Sequence, residues 1–511
     1  MTRLLIEGCT IGGRPDCSIY CEEGIVARVT EGTTQTVPPD AEVIEARGGA
    51  IFFGFVDSHC HPFEYGWLKR SVDLRGTANI TALRLRLMAG VQRANPGEWV
   101  TGMGWDQESL PGGAMPHRAD IDDITPANPV VLSRICGHIA LLNSRAIGVL
   151  GLQANAGVEY ERDQAGALSG IVKEKALDNV FASLPRQGER SAADLQSAEA
   201  EASRLGLTCL HCILSPEGYR EELAALAALD SAGSLSLRYR VYIPPNAIDF
   251  VESEGLRGKP AGGKVRINGV KIYADGSLGA RTAALRDPYS DEPTNCGILR
   301  YKDEELRQLV ERVDSRGYQA IIHAIGDRAV EQAAEALGRV TGTQNPRRHR
   351  VEHASLLPRD LRTKMLNHGI RATVQPMFIT SDTWAVDRLG EERVRDLYPI
   401  HSMLSEGIVA SGGSDSPVES MSPILGMWAS MTRGGSTPRE SLTFEQALTL
   451  YTSNAESNGL EESLGSVKEG VPANFTVLDS DTSGMHPALF RKVGVMATVV
   501  GGVVVHSYGA G

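Results

Sequence analysis

A chain of 511 residues, 42% hydrophobic and 22% charged, has the composition of a soluble globular protein and the length of about three domain-sized units. Its net charge of −12, with lysine and arginine thinly spread, lacks the basic footprint that nucleic acid or an anionic membrane surface requires, so a small molecule is the expected partner. No segment offers the ~20 uncharged apolar residues that span a bilayer, Glu7 interrupts the first apolar stretch, and eight cysteines lie at irregular spacing, which together predict a reduced, cytoplasmic protein.

In chain order, residues 1–53 alternate short β-rich runs with turns, and the sequence EEG at residues 22–24 marks a hairpin. Residues 465–511 repeat the pattern, with Gly501 and Gly502 between two β-branched runs. The two ends are expected to form one β-sandwich. Between them, in the span 54–464, short apolar runs end in polar residues and mostly precede segments of helical period, as in a parallel sheet covered by helices. They fall at 51–61, 206–212, 237–243, 267–277, 319–326, 348–354, 370–376 and 407–417. Eight such runs predict an α/β fold, a (β/α)8 TIM barrel. Residues 62–205 are too long for one connection and predict an inserted cap near the barrel mouth. Within it, residues 124–152 read as a strand and a helix, and residues 191–206 as the helix entering the second barrel strand. Cys209 and Cys212 have zinc-knuckle spacing, but without a second such pair they read as buried strand cysteines.

His59 and His61 stand two apart on the first strand, so both imidazoles point to one face and can reach one metal. Lys271, His323, His353 and Asp415 each fall near the C-terminal end of another proposed strand, the face on which barrel enzymes place their sites. Lys271 lies between Val270 and Ile272, within a buried strand where an unpaired ammonium is costly. Asp57, two before His59 on the same strand face, is placed either to orient a ligand or to make a plain structural hydrogen bond. His138 and Asn143 fall in the cap, Asp275 and Arg281 follow the lysine closely, and Trp67, Met103 and Trp105 are apolar candidates for the substrate side. Arg134 or Arg281 could bind one carboxylate.

The motifs GFVDSHCH, GVKIYADGSLGARTAAL, HAIGDRAV, RHRVEHA and GSDSPVESMSP, in that order, resemble the amidohydrolase superfamily, and within it the YtcJ-like branch that includes N-substituted formamide deformylases. The segment GSVKEGVPANFTVLD resembles the superfamily's return to the sandwich, with Asn474 in place of the usual aspartate. Cys212 likewise stands where the branch would have an aspartate. The resemblance implies two divalent metals, zinc with manganese or iron as alternatives. His59, His61 and Asp415 would hold the first and His323 and His353 the second, bridged by Lys271 carboxylated by CO2. It implies hydrolysis of a small amide-type, non-peptide C–N bond by metal-activated hydroxide, with Asp415 as general base and then acid. His138, Arg281 and Trp105 are the candidates for the substrate side. A deaminase, a lactone or carbamate hydrolase, and a non-catalytic relative are the alternatives. Deaminating relatives carry a glutamate three positions after the fifth-strand histidine, where this chain has Gly326. A homodimer is a compatible assembly.

Overall fold

The computed structural model describes residues 2–32, 38–153, 160–183, 188–257, 263–342, 344–461 and 467–508. Its centre is a parallel sheet of eight strands in sequential order: β1 (Phe55–Cys60), β2 (Leu207–Ile213), β3 (Arg238–Ile243), β4 (Val265–Tyr273), β5 (Gln319–Ala324), β6 (Arg350–His353), β7 (Arg371–Val374) and β8 (Ala410–Gly412). Nearly every residue of these strands is buried, as befits a sheet with side chains packed inside the barrel and helices outside. The largest apolar cluster joins Val241, Val270, Ile322, Val351 and Ala372 of the strands to Leu223, Leu306, Leu337 and Leu361 of the surrounding helices.

The barrel closes where the chain leaves β8. Cys60 and Ser416 form a parallel bridge, the Asp415 N–H donates to the His59 carbonyl at 2.7 Å, and the His61 N–H donates to the Ser416 carbonyl at 2.8 Å. Gly413 permits this approach, since a Cβ there would lie 2.7 Å from the Cβ of His59. Closure therefore brings the first and last strand motifs together.

Both chain ends build two four-stranded sheets that share one core, in which Leu4, Ile6, Ile19 and Val26 meet Phe475, Val477 and Val499. The hairpin turns at Glu23–Gly24 and Gly501–Gly502 fall where the turn residues place them. The segment between β1 and β2 carries a six-stranded mixed sheet spanning Val72–Asp73 to Leu168–Lys173. It differs from the sequence reading in one respect. Residues 124–152 hold two strands, Val130–Arg134 and Ile139–Leu142, paired antiparallel before the helix Ser144–Val149. The turn between them uses Gly137 at φ +73°, a backbone state that a residue with a Cβ seldom adopts. Cys209 and Cys212 are buried on β2. Among the described residues no helix is long and apolar enough to cross a membrane.

Candidate active site

The C-terminal ends of β1, β4, β5, β6 and the turn after β8 converge on a cavity of about 870 Å³ roofed by the inserted sheet. Lys271, His323, His353, Asp415 and His61 line it. His59 lies just beneath, wholly buried. Its Nε2 is 3.1 Å from Asp415 Oδ1 and 3.1 Å from Lys271 Nζ, and His61 Nε2 is 3.3 Å from the same carboxylate oxygen. The donor atoms of His59, His61 and Asp415 all lie within 4.8 Å of one another. The His353 ring sits 4.9 Å from that of His59 and 4.4 Å from that of His323, centroid to centroid. All six residues singled out in the sequence thus surround one point.

Three of these histidines have one ring nitrogen engaged by an acceptor of the protein. His59 Nδ1 meets the carboxylate of Glu352, His323 Nε2 meets the carbonyl of Gly276 at 3.0 Å, and His353 Nδ1 meets Gln375 Oε1 at 2.8 Å. An imidazole that donates through one nitrogen presents the other as a lone pair, the state a metal requires. Glu352 is in turn held by Arg350, whose Nε lies 2.5 Å from Oε1. Arg350 also donates to Tyr242 Oη at 2.9 Å, to the Asn458 carbonyl at 3.0 Å and to the Ser58 carbonyl at 3.3 Å. Burial alone would raise the Glu352 carboxyl; Arg350 and His59 pull it well below the ordinary value.

Burial lowers the Lys271 ammonium to about 8 and the His353 imidazole to about 3, and holds His323 well below its usual range with help from His353. It also opposes ionisation of Asp415, but His59 and His61 keep that carboxyl well below its usual value. Asp415 and His353 both have left-handed backbone, at φ +55° and +69°. Non-glycine residues seldom adopt it, and it concentrates where a side chain must be aimed.

Asp57 accepts from the backbone N–H groups of His59 at 3.1 Å and Ser414 at 3.0 Å and from the Ser414 hydroxyl at 2.5 Å, fastening the turn that carries Asp415 to β1. Burial raises it to about 6. Asp275 is also wholly buried and accepts from the backbone of Ala284, Ile325 and Gly326, which joins the loop after β4 to the end of β5. Asn143 caps the helix Ser144–Val149 and accepts from Val130 N–H, so its work is within the cap.

The residues read as substrate contacts divide. His138, Trp67 and Met103 line the cavity, and the His138 ring lies 6.0 Å from that of His323. Trp105 does not: it is sealed in the cap's core with Leu74, Leu132 and Leu141, and its indole N–H donates to the Leu132 carbonyl at 2.6 Å. Arg281 and Arg134 stand off the cavity wall, paired with Asp291 at 2.8 Å and Asp106 at 2.7 Å. The cations on the wall are Arg93, Arg300 and Lys271. Sequence reasoning passed over Glu352, Arg350 and Gln375. The alternation of charge at Arg350 and Glu352, inside a strand of buried residues, was the available signal.

The amidohydrolase family profile matches residues 42–506. The YtcJ protein of Bacillus subtilis (strain 168) is 29% identical over 96% of this chain and 96% of its own length. The N-substituted formamide deformylase of Arthrobacter pascens is 26% identical over 97% of this chain and 96% of its own. A crystal structure of a metal-dependent hydrolase from Pyrococcus furiosus superposes with a TM-score of 0.75 at 31% identity, covering 95% of this chain and all of that one. The chain therefore belongs to the amidohydrolase family, in its YtcJ-like branch, and with it to the hydrolases that act on carbon–nitrogen bonds.

Proposed function

We propose that this enzyme is a metal-dependent hydrolase of a small amide-type C–N bond, and the observation that carries the reading is the set of histidines with one nitrogen engaged from behind. Three such imidazoles, two of them on the cavity wall, with His61 and a carboxylate held ionised beside them, make a nitrogen and oxygen donor set suited to zinc, with manganese or iron as alternatives. His59, His61 and Asp415 would hold one ion and His323 and His353 a second. Lys271, short of a proton more readily than a free lysine because it is buried, would add CO2 at Nζ and become a carbamate shared by both. That reaction exchanges a buried cation for an anionic ligand. Divalent metals bound here would supply Lewis acidity, polarising a carbonyl and acidifying water.

The chain's own residues do the rest. Asp415, ionised at the cavity wall, accepts the proton of an attacking water and returns it to the departing nitrogen. Glu352 fixes the ring of His59, and Gln375 and the Gly276 carbonyl fix His353 and His323, so no reorientation is needed as charge develops. The cavity beneath the roof leaves room for a substrate of modest size. The N-substituted formamide deformylase relative makes an N-substituted formamide the first substrate to try.

A deaminase is disfavoured by Gly326. A Cβ there would lie 2.0 Å from the Ala284 carbonyl oxygen, so the chain cannot carry at that position the glutamate of deaminating relatives. The test is reconstitution with zinc and bicarbonate, followed by metal analysis and assay on formamides, carbamates, acyl-amino acids and lactones. Two equivalents of metal and turnover of a neutral amide are expected, with Lys271→Ala reduced to one equivalent. Preferential turnover of lactones, or no more than one equivalent in the parent, would overturn the corresponding part.

A further inference from the structure

Sheet alternation decides which side chains of the roof face the cavity. In the strand Val130–Arg134, Val130 and Leu132 enter the cluster around Trp105, while Val131 joins Leu142, Val172, Leu177 and Val180 on the opposite face. Ser133 shares the face of Val131. Its register partner in the neighbouring parallel strand is Met103, and both line the cavity together with Leu177, Phe181 and Trp67. Trp67 meets Phe181 edge-on, with ring centroids 6.2 Å apart.

Beside Met103, Ser133 is 2% exposed, and its Oγ has no hydrogen-bond partner among the described residues. Buried hydroxyls are nearly always paired, because an unpaired one forfeits its bonds to water with nothing in return. Nearby polar groups of the same sheet do find partners: Asn143 makes several bonds and the Trp105 indole makes one. The surface that Ser133 shares with Met103, Leu177 and Phe181 is the cavity wall.

We propose that Ser133 determines specificity in the roof: its hydroxyl takes one neutral hydrogen-bonding group at the far end of an otherwise apolar N-substituent. Met103, the register partner of Ser133, offers an ion nothing in exchange for its hydration, which favours a neutral group at this hydroxyl. The inference rests on the reading of the site as an amide hydrolase and specifies which amides it takes.

The metal-loaded full chain, Ser133→Ala and Ser133→Thr would be compared on N-benzylformamide and N-(4-hydroxybenzyl)formamide. The parent should favour the hydroxylated substrate by about tenfold in kcat/KM, the worth of one neutral hydrogen bond, expressed mainly in KM. Ser133→Thr should keep that preference and Ser133→Ala should lose it. The alanine variant should also melt no lower than the parent, since it deletes a hydroxyl that bonds to nothing in the fold. A preference retained in Ser133→Ala, absent from the parent, or accompanied by a large loss of stability in Ser133→Ala would overturn the proposal. If neither formamide is hydrolysed, the amide-hydrolase reading fails on its own account. Calorimetry with the same two compounds and three proteins then decides the role of Ser133: a preference in Kd lost only in the alanine variant supports it, and equal affinities overturn it.

Discussion

Glu352 is wholly buried and faces Arg350 on one side and His59 on the other, so two substitutions separate its roles. Glu352→Gln and Arg350→Met both break the buried ion pair and should both destabilise the fold, by about 3 kcal/mol. Only the first deprives His59 of a charged acceptor, and it should weaken metal binding by about 10–100-fold. Chelator competition on the two variants checks this; equal metal affinities would confine Glu352 to a structural role. Asp415→Asn should lower kcat by about 10²–10⁴-fold while leaving the melting temperature near that of the parent, and turnover at the parent rate would remove the proton-transfer role. His59, His61, Lys271, His323, His353 and Asp415 could be read from the sequence because a polar residue at the end of an apolar run is conspicuous. Glu352 and Gln375 could not. What they do depends on which ring nitrogen lies across from them, and periodicity along the chain carries no such information.

At the scale of elements, the inserted sheet is fastened to the barrel side by buried arginine. Arg388, 3% exposed in the helix Ala385–Arg393, donates to Glu108 of the cap at 2.6 Å and to Asp291 of the loop after β4 at 2.5 Å. Asp291 also receives Arg281, so the residue read from sequence as a substrate contact belongs to this clamp. Replacing Arg388 with Met leaves two carboxylates without their shared cation and should cost about 2 kcal/mol, below the figure for a fully buried pair because both acids are partly solvated. It should also raise KM, as the roof loosens over the cavity, with a smaller effect on kcat. Urea denaturation and steady-state kinetics measure the two effects; an unchanged KM would mean that the clamp serves stability alone. The extra strand Ile139–Leu142 and the burial of Trp105 escaped the sequence reading for a related reason. Once a sheet has two packed faces, an apolar residue near the mouth in sequence can point into the sheet's own core, and only the partner strands decide which way it turns.

Over the whole molecule, the sandwich made by the chain ends is bolted to the bottom of the barrel, and Thr476 is a bolt that can be removed cleanly. It lies on the strand Phe475–Leu478, fully buried. Its hydroxyl donates to the Gly206 carbonyl at 2.6 Å and accepts from the Phe55 N–H at 3.2 Å. One oxygen thus ties the C-terminal sheet to the entrances of β1 and β2, the first of which leads to His59 and His61. Thr498, on the neighbouring strand, adds a bond to the Ser203 carbonyl at 2.7 Å. Valine matches threonine in shape but not in its hydroxyl, so Thr476→Val strands a buried donor and a buried acceptor with little change in packing. The expected loss is about 2–3 kcal/mol, read as a lower midpoint in denaturant at similar slope. Because β1 is also held by β2 and by the closure with Ser416, the metal site should survive, and metal stoichiometry should match the parent at temperatures where the variant is folded. A variant that keeps its stability would show that the sandwich is attached by its apolar contacts alone. One that loses metal while still folded would show that the attachment sets the register of β1, and through it the positions of His59 and His61.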